Sequence, residues 1–220
     1  MRSYLGRSLV LGVVLILTSV RPAHASTIDF ANSLWSAGDG ASSVTKNGVT
    51  VAATDPVGAL LSWSNGLGFG VDSGFLDGVL GTDDEVNGVE ILTITLPTAT
   101  TLAGFTVSNL YYESLLGLGL VAYSEVGYYR LGNGAWQSFT APKSNTSSTD
   151  GLLYVGITPA VVSTIAFGYK PGLGLLDAVR NDFTVKSLEV ISTPEPASLL
   201  LLGTGLIGLG RAVRRRFRKN

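Results

Sequence analysis

The stretch EILTITL, residues 90–96, has an alternating pattern of side chains. Leu92, Ile94 and Leu96 fall on one side of an extended backbone, and an isoleucine and two threonines fall on the other. Successive side chains of a β-strand point to opposite faces of its sheet, and β-branched residues favour strands. The stretch therefore predicts a strand with one face in a hydrophobic core and the other half-exposed.

Two turn sequences outside this strand predict β-hairpins. They are Asn47-Gly48 and Gly132-Asn133-Gly134, and both consist of residues that tolerate the positive φ of tight turns. Each turn lies between two runs rich in β-branched or aromatic residues. These flanking runs are residues 44–46, 49–51, 128–131 and 135–139.

Further strand-like runs follow at regular spacing: residues 102–110, 118–124, 152–157, 161–169 and 183–191. Residues 26–192 contain no convincing helical periodicity. About nine or ten short strands at this spacing favour a sandwich over a small barrel. The predicted fold class is all-β, with residues 26–192 forming a two-sheet antiparallel β-sandwich of jelly-roll type. A signal helix precedes this domain, and a transmembrane helix follows it within residues 193–220.

The first 25 residues have the composition of a secretory signal peptide. Two arginines precede an apolar run at residues 9–17, and Ala23-His24-Ala25 places small residues where signal peptidase cleaves. The apolar run is about half of the ~20 residues that a membrane span needs. We expect cleavage after Ala25, so that the exported chain begins at Ser26.

Three different segments follow one another at the C-terminal end. Pro194-Glu195-Pro196 keeps the backbone extended, because each proline restricts its own φ and the residue before it. An uncharged run follows at residues 197–210, and with residues 211–213 it reaches 17 residues, near the lower limit for a membrane span. A basic anchor ends the chain: Arg211, Arg214, Arg215, Arg216 and Arg218. The positive-inside rule keeps this anchor cytoplasmic and leaves the domain outside.

This order of segments closely resembles the PEP-CTERM protein-sorting signal of Gram-negative bacteria. The resemblance covers about residues 193 to 217 and rests on Pro194-Glu195-Pro196, the apolar helix and the arginine tail together. It implies recognition by an exosortase, a membrane peptidase or transpeptidase of bacteria that make extracellular polysaccharide. It also implies an intermediate anchored in the inner membrane and a final location at the cell surface or in the extracellular matrix.

Charge and composition exclude several functions for the exported domain. Residues 26–193 hold 15 Asp and Glu against 6 Lys and Arg, a net charge of −9, so a nucleic-acid partner is not expected. The chain has no cysteine, and its one histidine, His24, lies before the expected cleavage site. Neither a Ser-His-Asp triad nor a histidine zinc site is therefore available. A glycosidase that uses two carboxylates remains one alternative.

The densest group of acidic residues lies between two of the predicted strands. Its members are Asp72, Asp77, Asp83, Asp84, Glu85 and Glu90, and they are interleaved with glycines. Ca²⁺ accepts six to eight oxygen ligands in a flexible geometry, so the group is a candidate calcium site. A solvated acidic loop explains the same composition equally well. No cofactor is required by either interpretation.

Exposed aromatic residues are the candidate sugar contacts of a polysaccharide-binding domain. Trp35, Tyr112 and Tyr129 are the candidates, because one tyrosine of each adjacent pair in a strand faces outward. Aromatic residues are nevertheless more often core or cross-strand partners, which is the expectation for Trp63 and Trp136.

The resulting expectation is a structural or polysaccharide-associated protein without enzymatic activity. Two alternatives stay open at this point. One is a secreted carbohydrate-active enzyme that uses paired carboxylates. The other is a domain that stays anchored in the membrane, facing the periplasm, without any processing of its tail.

Overall fold

The computed structural model describes residues 24–73, 85–114, 122–146, 149–168, 182–192, 203–210 and 214. The chain divides into two compact units. One unit, Ala25–Ile191, contains the sheet strands and the hydrophobic core. The other comprises Met1–His24 and Ser192–Asn220, and its described residues include a helical stretch at 203–210.

The described elements are twelve strands and one 3-10 helix. In chain order they are β1 (His24–Asp29), the 3-10 helix (Ser33–Gly38), β2 (Ser43–Lys46), β3 (Val49–Asp55), β4 (Leu60–Ser64), β5 (Gly68–Asp72), β6 (Ile91–Ser108), β7 (Tyr112–Ser114), β8 (Ala122–Ser124), β9 (Val126–Leu131), β10 (Gln137–Thr140), β11 (Leu153–Gly168) and β12 (Thr184–Ser192). The predicted all-β class is confirmed.

Ten of these strands are hydrogen-bonded into one curled sheet, and β7 pairs with β8 in a separate small one. The main order is β10-β9-β11-β6-β12-β5-β4, with β1 on β12 and with β3 joining β2 to β6. The antiparallel arrangement agrees with the prediction. The separation into two sheets stays a prediction, since one continuous ladder joins all ten strands.

Strands β6 and β11 are much longer than the sequence predicts. The runs at 90–96 and 102–110 belong to one strand, β6, and the runs at 152–157 and 161–169 belong to β11. Register shifts between Gly156 and Ala160 and between Val162 and Thr164 interrupt the β6–β11 ladder without ending it. Such irregularities bend a strand, which lets both strands change neighbours along their length.

The predicted faces of the first part of β6 are confirmed. Leu92, Ile94 and Leu96 are buried, whereas Thr93 is half-buried and Thr95 is exposed. The buried face continues beyond the exposed middle of the strand as Leu102, Phe105 and Val107. One strand therefore supplies core residues over both halves of its length.

Both predicted hairpins are present. Asn47 has φ 50° and Gly48 has φ 78°, and Lys46 pairs directly with Val49 across this two-residue turn. Positive φ at both central positions matches the right-handed twist of the flanking strands. The second hairpin joins β9 to β10, which begins at Gln137, two residues after the predicted start.

Two groups of aromatic rings fill the core. Phe30, Trp35 and Phe69 form one group, in which Trp35 meets both phenylalanines edge-on at 5.1 and 5.9 Å between ring centroids. The other group centres on Phe105 and consists of Phe105, Tyr129, Phe139, Phe167 and Phe183. Edge-to-face pairs contribute roughly 0.5–1.5 kcal/mol each beyond the area that they bury.

The outer side of β6 carries a polar contact that joins three strands. Tyr154 on β11 lies across Gly104 of β6 and donates its hydroxyl hydrogen to Glu189 on β12. This hydrogen bond raises the pKa of Tyr154 above its ordinary value, with smaller contributions from burial and from the negative charge of Glu189. The contact stabilises the neutral tyrosine.

The two expected terminal helices fall mostly outside the described residues. Residues 203–210 are helical, within the run predicted to cross the membrane, and residues 204–210 are exposed. Among the residues that the structure describes, no helix is both long enough and apolar enough to span a bilayer.

Gly68 provides a test of how closely β5 approaches β12. It has φ 112°, and an added Cβ would collide with the backbone carbonyl oxygen of Val185. We expect Gly68→Ala to lower the free energy of unfolding by about 2–4 kcal/mol in chemical denaturation, because backbone strain and overpacking add. The matched control is Gly66→Ala, where φ is 85° and the space is open, and where the expected loss is about 1 kcal/mol. Equal losses in both variants would contradict the close approach.

The Tyr154 contact predicts a specific alkaline instability. The pKa of Tyr154 is raised in the folded state. Its contribution to the free energy of unfolding is therefore complete below the pKa of about 10 in the unfolded chain, and it is lost as the pH rises through the folded-state pKa. Because Tyr154 is 54% exposed, we expect this contribution to the free energy of unfolding to be less than about 1 kcal/mol. Chemical unfolding measured across this pH range should show that the free energy of unfolding falls more steeply with pH for the wild type than for Tyr154→Phe or Glu189→Gln. Identical pH profiles would refute the contribution.

Candidate functional site

The sorting segment begins where the sheet ends. Strand β12 stops at Ser192, and Pro194, Glu195 and Pro196 lie outside the described residues. Of the predicted basic anchor, Arg214 is helical and exposed. The anchor residues outside the described part of the chain are Arg211, Arg215, Arg216 and Arg218.

The predicted signal-cleavage bond falls inside a strand. Ala25 and Ser26 are exposed residues of β1, whereas Ala23 lies outside the described residues. Cleavage at this bond leaves Ser26–Asp29 of β1 in the exported chain. Phe30, which follows, donates its backbone N–H to the carbonyl of Lys186 on β12 at 2.8 Å, so the new N-terminal segment stays attached to the sheet.

A groove of about 440 Å³ lies beside β1 in the Ala25–Ile191 unit. It is bounded by β1, the 3-10 helix, the β2–β3 turn and the middle of β6. Its polar lining consists of Thr27, Asp29, Asn32, Lys46, Asn47 and Thr100. Leu34, Trp35 and Pro97 contribute to the apolar part, and Leu34 is 52% exposed.

Two polar side chains of this groove already accept hydrogen bonds from backbone N–H groups. Asp29 Oδ1 accepts a hydrogen bond from the Ala31 backbone N–H at 3.0 Å. Asn32 Oδ1 accepts one from Leu34 at 2.9 Å and thereby caps the 3-10 helix. Among the described residues that line the groove, Asp29 is the one carboxylate, whereas glycoside hydrolysis uses two carboxyl groups on opposite sides of the scissile bond.

The acidic residues of the candidate calcium site are only partly described. Asp77, Asp83 and Asp84 lie outside the described residues. Asp72 is exposed at the end of β5, and the backbone carbonyl of Glu85 accepts the Val71 N–H at 3.3 Å, which brings these two positions near each other. The described parts of the chain contain no group of three or more potential metal ligands.

Glu90 plays a structural part in this region. Its side chain is 1% exposed, and Oε2 accepts the Asn87 backbone N–H at 2.9 Å. Glu125 is a second buried carboxylate, 3% exposed, whose Oε2 accepts the Tyr111 N–H at 2.5 Å. Both carboxylates therefore satisfy backbone donors in the protein interior.

The expected exposure of Trp35 and Tyr129 is wrong, whereas their contact with sugars stays a prediction. Trp35 is 3% exposed, its ring packs edge-on against Phe30 and Phe69, and the residue forms part of the groove lining. Tyr129 is 6% exposed and packs edge-on against Phe105, with its hydroxyl donating to Gln137 Oε1 at 2.7 Å. Burial also raises the pKa of Tyr129. Tyr112, the third candidate, is half-buried on β7.

An aromatic contact that the sequence analysis missed lies on the β9–β10 hairpin. The guanidinium carbon of Arg130 lies 4.9 Å from the ring centroid of Trp136, within the range of a cation–π interaction. Both residues are half-buried. The predicted hairpin already placed their strands side by side, so its register was the signal that could have revealed the pair.

Comparison with protein-family models identifies a PEP-CTERM protein-sorting motif at residues 192–216. This span contains Pro194-Glu195-Pro196, the apolar run and four of the five anchor arginines. No curated protein and no solved structure matches the chain. The motif implies export and membrane-anchored processing by an exosortase in a Gram-negative bacterium. The segment at residues 192–216 is therefore a PEP-CTERM protein-sorting motif, as its resemblance predicted.

Proposed function

We propose that this protein is a non-enzymatic component of the cell surface or extracellular matrix whose exported domain associates with polysaccharide. The sorting motif at residues 192–216 is the observation that carries the proposal. A chain removed from the membrane anchor by an exosortase leaves the inner membrane, and the matrix is the destination that we propose for its acidic domain. The proposed partners are the exosortase, the membrane before processing, and then polysaccharide.

Several contacts support a role without catalysis. The chain has no histidine after residue 24. The buried carboxylates Glu90 and Glu125 accept backbone hydrogen bonds, and Asp29 is the one carboxylate among the described residues that line the groove beside β1. A carbohydrate-active enzyme that uses paired carboxylates, the rival proposal, needs two such groups facing a common cleft. The described residues of the groove do not supply that pair.

We propose a two-sheet sandwich as the architecture of the exported domain. In its first part β6 pairs with β3 and β11, and in its second part it pairs with β11 and β12. The end of β11 pairs in addition with β9. Strands that change neighbours at a bulge or bend are the means by which sandwiches form corners between sheets. This pairing supports two sheets joined through β6 and β11.

The processing step is tested by comparing the wild type with Glu195→Gln in the native host. We expect mass spectrometry of the wild-type protein to find a chain that starts at Ser26 and ends near Pro196, in the medium or outer envelope. Glu195→Gln removes the charge of the motif with little change in shape, so we expect the variant to keep its tail and to accumulate in the inner membrane. Glu85→Gln is the matched control and should be processed normally.

An intact tail through Asn220 in the wild type, held in the inner membrane, would contradict this proposal. The protein would then be an unprocessed, membrane-anchored periplasmic domain. Equal processing of the wild type and Glu195→Gln would show that the motif's carboxylate does not take part in recognition.

We propose Ca²⁺ as a stabilising ligand of the segment between β5 and β6. Asp72 and Glu85 flank this segment and are brought near each other by the Val71–Glu85 backbone contact. We expect Ca²⁺ at about 100-fold excess over its Kd to raise Tm by about 5–10 °C. The double variant Asp83→Asn/Asp84→Asn should lose this shift, and Asp150→Asn should keep it. Equal Tm with Ca²⁺ and with a chelator in the wild type would exclude the site.

A further inference from the structure

Four threonines form a continuous row across four neighbouring strands. Thr45 on β2 pairs with Thr50 on β3, Thr50 pairs with Thr95 on β6, and Thr95 pairs with Thr164 on β11. Adjacent strands are roughly 5 Å apart, so the row presents threonine side chains at a regular interval of that size. The hydroxyls of Thr45 and Thr50 are hydrogen-bonded to each other at 2.8 Å.

A second row lies beside the first on the same side of the sheet. It consists of Ser43, Ala52, Thr93, Ala166 and Arg130, which are directly paired from β2 to β9. We call the nine residues of the two rows the threonine face. The opposite side of these strands belongs to the core, since Val44, Val51, Ile94, Ile165 and Tyr129 are buried there.

The threonine face differs in charge from the rest of the exported domain. Residues 26–193 carry a net charge of −9, yet neither row contains a carboxylate, and Arg130 gives the second row one positive charge. Within the described part of the chain, the Arg130 guanidinium stacks on Trp136 and has no carboxylate partner. Stacking on an aromatic ring holds a guanidinium in position. The Nε atom of Arg130 is buried and has no hydrogen-bond partner among the described residues.

The composition of the face also indicates the class of partner. The centres of protein–protein interfaces are apolar and rich in aromatic residues, whereas the two rows present mainly hydroxyl and methyl groups. None of the exposed large hydrophobic residues among the described ones lies in either row. A surface of regularly spaced hydroxyls with one positioned guanidinium suits a polymer that carries many hydroxyls and occasional carboxylates.

We propose that the threonine face binds an anionic polysaccharide chain that bears uronate-type carboxylates. Arg130 pairs with a sugar carboxylate through two parallel hydrogen bonds, and the threonine row exchanges hydrogen bonds with hydroxyls of successive sugars. This inference rests on the proposed polysaccharide association and names the surface and the charge class of the ligand.

The experiment measures binding of the protein isolated from its host to polygalacturonate, with neutral dextran as the comparison polymer. We expect Arg130→Gln to weaken polygalacturonate binding about tenfold or more, since a hydrogen-bonded charge is lost. We expect Thr95→Val, at the centre of the first row, to weaken it about threefold. Thermal unfolding of each variant checks that the fold is retained. We expect Thr95→Val to keep it, since valine favours strands at least as well as threonine.

Lys143→Gln is the matched control for charge, because it removes one positive charge from an exposed position outside both rows. Equal weakening in Arg130→Gln and Lys143→Gln would overturn the inference, since binding would then depend on net charge alone. Equal binding of dextran and polygalacturonate would overturn it as well, and so would a change in oligomeric state confined to Arg130→Gln. A protein found in the matrix with a processed tail, but without binding to polygalacturonate, would refute this surface and leave the sorting proposal intact.

Discussion

The pairing of β6 with β11 is the constraint on which the rest of the domain depends. These two strands are hydrogen-bonded from Ile91 and Gly168 at one end to Val107 and Leu153 at the other. Every other strand of the main sheet attaches to this pair directly or through at most two neighbours. Because a shift of one residue would turn every side chain to the opposite face, the register of this pair decides which residues enter the core.

Local signals in the sequence predicted a substantial part of this fold. The alternation at residues 90–96 identified the core face of β6, and Asn47-Gly48 identified a hairpin, because both depend on neighbours in the chain. The continuity of β6 and β11 was not predicted, because Pro97 and Pro159 lie within these strands and proline usually marks the end of a strand. The residues that pair with each strand are also distant from it in the sequence. Strand β5 was also missed, because its glycines lower strand propensity while Gly68 permits close contact with β12.

The sorting motif and the proposed binding surfaces differ in the same way in how far the sequence predicts them. The sorting motif is a linear signal, so the order of prolines, apolar run and arginines was sufficient to recognise it. The groove beside β1 and the threonine face combine residues from several strands, and no local pattern marks them. Aromatic character alone did not distinguish Trp35 and Tyr129, which are buried, from Trp136, which is half-buried beside Arg130, because burial depends on which face of the sheet a residue occupies.

The position of β12 has a mechanical consequence for a chain that is held at its tail. The sorting motif continues directly from β12, which is flanked in the sheet by β6 on one side and by β1 and β5 on the other. Tension applied through the tail acts along β12 and shears it against its neighbours, so the hydrogen bonds of the ladder share the load at the same time. A terminal hairpin strand pulled from the sheet edge would instead lose its bonds one after another. The attachment point therefore favours a domain that stays folded while its tail is held in the membrane for processing.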